Sequence, residues 1–124
     1  MAVPIAAAVL DVVAVLTFAA VGRRSHAESD AVTGILVTAW PFLTGLAVGW
    51  AAYLASSRQV PRTAAQAVAV WVPTVAVGML LRQASGKGTA LSFVIVATVV
   101  LGACLLGWRA LAQLLVRRRA RPAP

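Results

Sequence analysis

The sequence predicts an all-α polytopic membrane protein, a bundle of four transmembrane helices with both termini on the same side. Two observations lead there. Hydrophobic residues make up 61% of the 124 positions and charged residues only 11%, whereas soluble domains carry about a quarter charged residues. A soluble fold of this length has too much surface for its volume to hide so much apolar area; lipid can cover it instead. The second observation is arrangement: four long apolar runs alternate with short gaps that hold most of the basic residues. The length fits one membrane domain, residues 1–124.

Span one covers about residues 3–21 and ends in Gly22-Arg23-Arg24. At about 1.5 Å per residue such a run covers about 28 Å, close to the hydrocarbon thickness of a bilayer. It lacks the basic stretch that precedes the apolar core of a signal peptide, and Asp11 interrupts it, so a retained helix is expected. After the polar SHAESD gap, span two covers about residues 31–55, long enough to tilt. Span three covers about 63–81, a glycine-containing turn follows from Arg82 to Gly88, and span four covers about 89–116. A basic tail, 117–124, closes the chain. Helices are expected despite the many valines and threonines. An unpaired backbone group in hydrocarbon costs several kcal/mol, and a helix satisfies its own groups. The runs also lack the short alternating segments of a barrel.

The formal net charge is +8, from eleven Lys/Arg against Asp11, Glu28 and Asp30. On a soluble chain that balance would suggest nucleic acid. Here the basic residues lie in the gaps and the tail, where each anchors against anionic headgroups with about 1 kcal/mol. The expected partners are therefore membrane lipids and not nucleic acid. Arg58, Arg62, Arg117, Arg118, Arg119 and Arg121 fall on the side of the termini, and Arg23, Arg24, Arg82 and Lys87 on the other. The positive-inside rule then puts both termini in the cytoplasm and the chain in the cytoplasmic membrane. A single cysteine, Cys104, excludes an intrachain disulfide and a multi-cysteine metal site.

Polar groups inside the apolar runs are the candidate functional residues. Asp11 lies about 12 Å into span one, where a lipid-facing carboxylate costs several kcal/mol. It must be neutral, paired or open to water. Arg109 lies about 10 Å inside span four from the same side. Matched depth suggests an ion pair joining spans one and four. The alternatives are a snorkelling Arg109 beside an interfacial Trp108, or a proton or substrate relay through Asp11. Gly45 and Gly49 form a GxxxG pair, and Gly102 starts a second flat patch; both permit close helix packing or homodimerisation. Trp40-Pro41 and Trp71-Val72-Pro73 lie well inside spans two and three. Each proline leaves a carbonyl unpaired four residues earlier, at Val37 and Ala69, which Thr38, Thr44 or Thr74 could satisfy. Two kinked helices could frame an indole-lined cavity for an apolar or cationic ligand. Trp50 and Trp108 are placed for a headgroup belt.

His26, Glu28 and Asp30 match no metal-ligand spacing, and Arg82 could reach either acid across the bundle end. No phosphate loop, dinucleotide fingerprint, zinc-protease motif or nucleophile elbow occurs, so no catalytic residue, metal or cofactor is expected.

Asp11, Phe18, Gly22-Arg23-x-Ser25-His26, Trp40-Pro41-Phe42 with Gly45, Trp71, Gly78-x-x-x-Arg82 and Trp108-Arg109 together make the chain resemble a known family. It is the domain-of-unknown-function family 3054, small bacterial and archaeal membrane proteins. The resemblance runs roughly from Val9 to Leu111. It implies a compact four-helix membrane domain and supplies no reaction or substrate. It also makes Arg23, His26, Trp40, Pro41, Arg82 and Arg109 better candidates for a shared site than composition alone does. The expected function is a noncatalytic structural or accessory membrane subunit, in a homodimer or larger complex. The alternative is a dimeric small-solute or proton-coupled transporter using Asp11. An intramembrane enzyme would need a polar pocket joining His26 and Arg82.

Overall fold

The computed structural model describes residues 2–23 and 31–120, and these form four helices. They are α1 (Ala2–Arg23), α2 (Ala31–Ser57), α3 (Ala64–Ala84) and α4 (Leu91–Ala120). All four are long and apolar enough to cross a membrane. α4 continues as a helix into the basic tail, through Arg117, Arg118 and Arg119. Arginine is a good helix former, and cations at a helix C-terminus favour the macrodipole.

Cross-helix contacts fix the direction of each helix. Phe18 of α1 packs on Phe42 of α2 and Phe93 of α4, while Asp11 meets Trp50 and Arg109. Numbers rise along α1 as they fall along both neighbours, so α1 is antiparallel to α2 and α4. Gly49 lies against Val70 and Gly45 against Thr74, so α2 and α3 are antiparallel too. α3 and α4 repeat the pattern, through Trp71 on Gly102 and Arg82 over Phe93. The helices form a ring in which each touches its two chain neighbours and α4 closes on α1. The start of α1 and the end of α4 share one end of the bundle. α2 and α3 touch most extensively, and α1 and α4 least.

The reason for the first of these is the absence of side chains. A methyl group built on Gly45 would lie 2.7 Å from the Thr74 carbonyl oxygen and 2.8 Å from that of Pro73. The α2 backbone therefore rests directly on α3, as small-xxx-small surfaces allow. Gly102 gives α4 room for the Trp71 indole, whose Nε1 donates to the Thr98 carbonyl at 3.0 Å. The core between the helices is apolar, with Val15, Phe18, Phe42, Val70, Leu101 and Leu105 fully buried. Phe18, Phe42 and Phe93 form a three-ring cluster with centroids 5.1–6.1 Å apart.

The outward faces are apolar as well: Val9, Leu36, Val48, Leu80, Val99 and Leu111 are all exposed. A helix that is hydrophobic all round is either a core helix or a membrane span. α2 and α3 run unbroken through Pro41 and Pro73. Thr38, Thr44 and Thr74 do not supply the carbonyls of Val37 and Ala69. They donate to Gly34, Trp40 and Val70, each four residues back, because a helical threonine hydroxyl reaches that carbonyl first.

α3 opens with a capping box. Thr63 Oγ1 accepts from the Gln66 amide at 3.1 Å, and Gln66 Oε1 accepts from the Thr63 amide at 3.3 Å. Gly86 and Gly88, both at positive φ, make the turn into α4. Arg58 takes the same left-handed conformation at the end of α2, which costs a residue with a Cβ about 1–2 kcal/mol.

Candidate functional site: a buried aspartate clasp

The inward stripe of α1 runs through Ala7, Ala14, Val15 and Phe18, all buried. Asp11 stands on that stripe, four residues after Ala7 and three before Ala14, so helical periodicity aims its carboxylate inward. On α4 the buried positions Ala97, Leu101 and Leu105 recur every four residues, and Arg109 is the next step. Both side chains are 0% exposed.

They meet in a bidentate pair. Arg109 Nη1 donates to Asp11 Oδ1 and Nη2 to Oδ2, each at 2.8 Å. Two indoles complete the carboxylate's shell: Trp108 Nε1 donates to Oδ1 and Trp50 Nε1 to Oδ2, again at 2.8 Å. A carboxylate offers about four lone-pair sites, and here four donors from within the chain occupy them. The guanidinium is equally well held. Its Nε donates to the Pro61 carbonyl at 2.9 Å, and Nη1 also donates to the Leu105 carbonyl at 2.9 Å. Its Cζ lies 4.4 Å from the Trp108 ring centroid, in cation–π range.

Moving two charges out of water costs several kcal/mol per ion, and attraction repays it only with good geometry and saturated hydrogen bonding. The clasp meets both conditions. It also gathers four parts of the chain, α1, α2, the α2–α3 connection and α4, around one ion pair. The α1–α4 contact is the thinnest in the ring, and the clasp lies across it.

Trp50 and Trp108, the residues placed for a headgroup belt, are half-buried, and each donates its indole N–H to Asp11. Trp50 lies seven residues before the end of α2, about 10 Å along the helix. An indole N–H turned into the bundle seeks a protein acceptor, and the carboxylate supplies one. Matched depth, which suggested Arg109, would have found Trp50 as well. The Pro61 carbonyl has no such signal, because proline marks only the missing donor.

The remaining candidates do not join the clasp. Trp40 projects from α2 and is 43% exposed, whereas its neighbour Pro41 is buried. Trp71 lies across Gly102. The two rings thus serve different surfaces. Arg82 stands at the opposite end of the bundle, where Nε donates to the Gly88 carbonyl at 2.9 Å and Cζ lies 4.1 Å above the Phe93 ring. Gly45 and Gly49 face α3 inside the bundle. His26, Glu28 and Asp30 lie outside the described residues, as does the side chain of Arg23. The expected contacts of Arg82 with Glu28 or Asp30, and any His26 pocket, fall there too. Among the described residues, no group of histidine, cysteine and acidic side chains could hold a metal ion.

Shallow grooves flank the clasp on both sides. One, of about 570 Å³, runs between α1 and α2 past Trp50 and is lined by Ala8, Val12, Leu43, Leu46 and Leu54. The other, of about 530 Å³, runs between α1 and α4 past Trp108.

Comparison with known proteins places the chain by sequence alone. No curated protein matches it, and no solved structure does. The model of a family described as a protein of unknown function, DUF3054, matches residues 8–112, and the chain belongs to that family.

Proposed function

We propose that the chain is an integral protein of the cytoplasmic membrane with a noncatalytic, structural or accessory role, and that the Asp11 clasp holds its fold closed. Four helices of spanning length and apolarity support the membrane reading. The excess of arginines at the end shared by the two termini supports a cytoplasmic position for that end.

The observation that carries the structural role is the saturation of Asp11. All four of its acceptor positions are taken by donors of the same chain, and its side chain has no exposed surface. A relay needs a carboxylate that can exchange partners with water or cargo; this one would first have to surrender Arg109 or an indole. The same saturation weighs against a proton-coupled transporter working through Asp11. The test is proton flux into vesicles reconstituted with the protein and loaded with a pH-sensitive dye. Wild-type protein is expected to leave flux at the level of empty vesicles. A flux that Asp11→Asn abolishes, with assembly intact, would overturn the structural reading.

A further inference from the structure

The α1–α4 groove differs from the α1–α2 groove in what stands along it. Ala6, Ala7, Ala112 and Val116 give it an apolar lining, with the Trp108 ring. Arg62, from the α2–α3 connection, and Arg117, from the last turns of α4, line it too. Both arginines are exposed. Asp11 is the only acid among the described residues, and Arg109 already occupies it. Arg62 and Arg117 thus bring two positive charges to an apolar groove without a described carboxylate to balance them. The α1–α2 groove carries no charge along its length.

We infer that the α1–α4 groove is a binding site for one anionic phospholipid, with an acyl chain along the alanine-rich floor and the phosphate between Arg62 and Arg117. The small side chains of Ala6, Ala7 and Ala112 leave room for a chain where larger residues would fill the groove. The arginines stand toward the end of the bundle shared by the α1 start and the α4 end, so floor and charges run in the order of a lipid's own tail and headgroup. Gln113 fixes the wall between them: its Oε1 accepts from the Ala64 amide at 2.8 Å, tying α4 to the start of α3. The inference rests on the reading that the helices span a membrane. It adds a ligand class that this reading does not contain. A lipid bound there would brace the two helices that touch least, on the outer side of the clasp.

Trp108 reports on the groove. The intact chain is reconstituted into phosphatidylcholine vesicles holding an equal minor fraction of either phosphatidylglycerol or phosphatidylcholine brominated in its acyl chains, and tryptophan quenching is compared. The brominated anionic lipid is expected to quench more, with about a fivefold preference from each arginine. The excess should vanish in Arg62→Gln/Arg117→Gln and in Trp108→Phe, which removes the reporter. Arg118→Gln/Arg119→Gln should keep it. Ala112→Leu, which fills the floor and leaves both charges, should lose it as well, so the result does not depend on one variant folding. Equal quenching by the two lipids would overturn the site while leaving the membrane reading intact. So would an excess that survives the Arg62/Arg117 or Trp108 change, or one that the Arg118/Arg119 change removes. Absence of quenching by either lipid would instead overturn the membrane reading on which the site rests.

Discussion

The α2–α3 and α1–α4 contacts hold neighbouring helices together by opposite means. Between α2 and α3 the backbones meet through Gly45 and Gly49, and attraction comes from many weak contacts over an extensive interface. Between α1 and α4 the interface is thin, and a single carboxylate that accepts three hydrogen bonds from α4 spans it. The first contact tolerates loss of any one atom pair but not the addition of a methyl group. The second tolerates neither partner's removal. A small bundle can therefore concentrate its vulnerability in one buried pair while spreading the rest over a surface.

The sharpest way to break this comparison is to remove one charge. Asp11→Asn or Arg109→Leu leaves a buried partner uncompensated and is expected to destabilise by about 3–5 kcal/mol, read from unfolding in a denaturing-detergent titration. The double replacement Asp11→Leu/Arg109→Met should lose less than either single change. It should not reach wild type, because Trp50 and Trp108 then lack an acceptor. If the double variant is the least stable of the three, a lone buried partner carries little penalty and the pair is only weakly coupled.

Trp50→Phe keeps most of the ring and deletes one bond to the carboxylate. It should lower stability by about 1.5–3 kcal/mol in the same titration, the range for a hydrogen bond to a charged group. A change within a few tenths would assign the hold on Asp11 to Arg109 and Trp108.

On the other contact, Gly45→Ala pushes a methyl group into the Pro73 and Thr74 carbonyls, and overpacking of this kind costs about 1–3 kcal/mol. Gly107→Ala is its control. Nothing lies within 4 Å of the added methyl there, so only helix propensity changes, by about 1 kcal/mol in favour of alanine. Equal effects at Gly45 and Gly107 would show that α2 and α3 do not depend on close backbone approach.

The sequence made some of this architecture legible and hid the rest for identifiable reasons. Four apolar runs reveal four helices because length and hydropathy are local properties. Asp11 stands out because a carboxylate in an apolar run has few permissible environments, and counting residues from each helix end leads to Arg109. Trp50 and Trp108 were concealed by their versatility: an indole suits both a headgroup layer and a buried acceptor, and only the register between helices decides. The extension of α4 through its arginines was hidden because charge ends a span without ending a helix. The capping box at Thr63 and Gln66, which sets the start of α3, escapes a reading that follows apolar runs alone. The threonines beside Pro41 and Pro73 look like repairs for the missing bonds, yet their hydroxyls follow their own helical turn.

The sequence separation within the clasp has a consequence for how the chain is made. Asp11 and Arg109 are 98 residues apart, and synthesis delivers them in that order. The aspartate leaves the ribosome before any of its donors, meets the earliest when Trp50 emerges, and obtains Trp108 and Arg109 only with α4. Until then the nascent chain carries an acid that its own later segments must neutralise. Completion of α4 is thus the event that makes α1 comfortable in an apolar setting. A chain cut short before Trp108 keeps three apolar helices and an aspartate with one of its four hydrogen bonds.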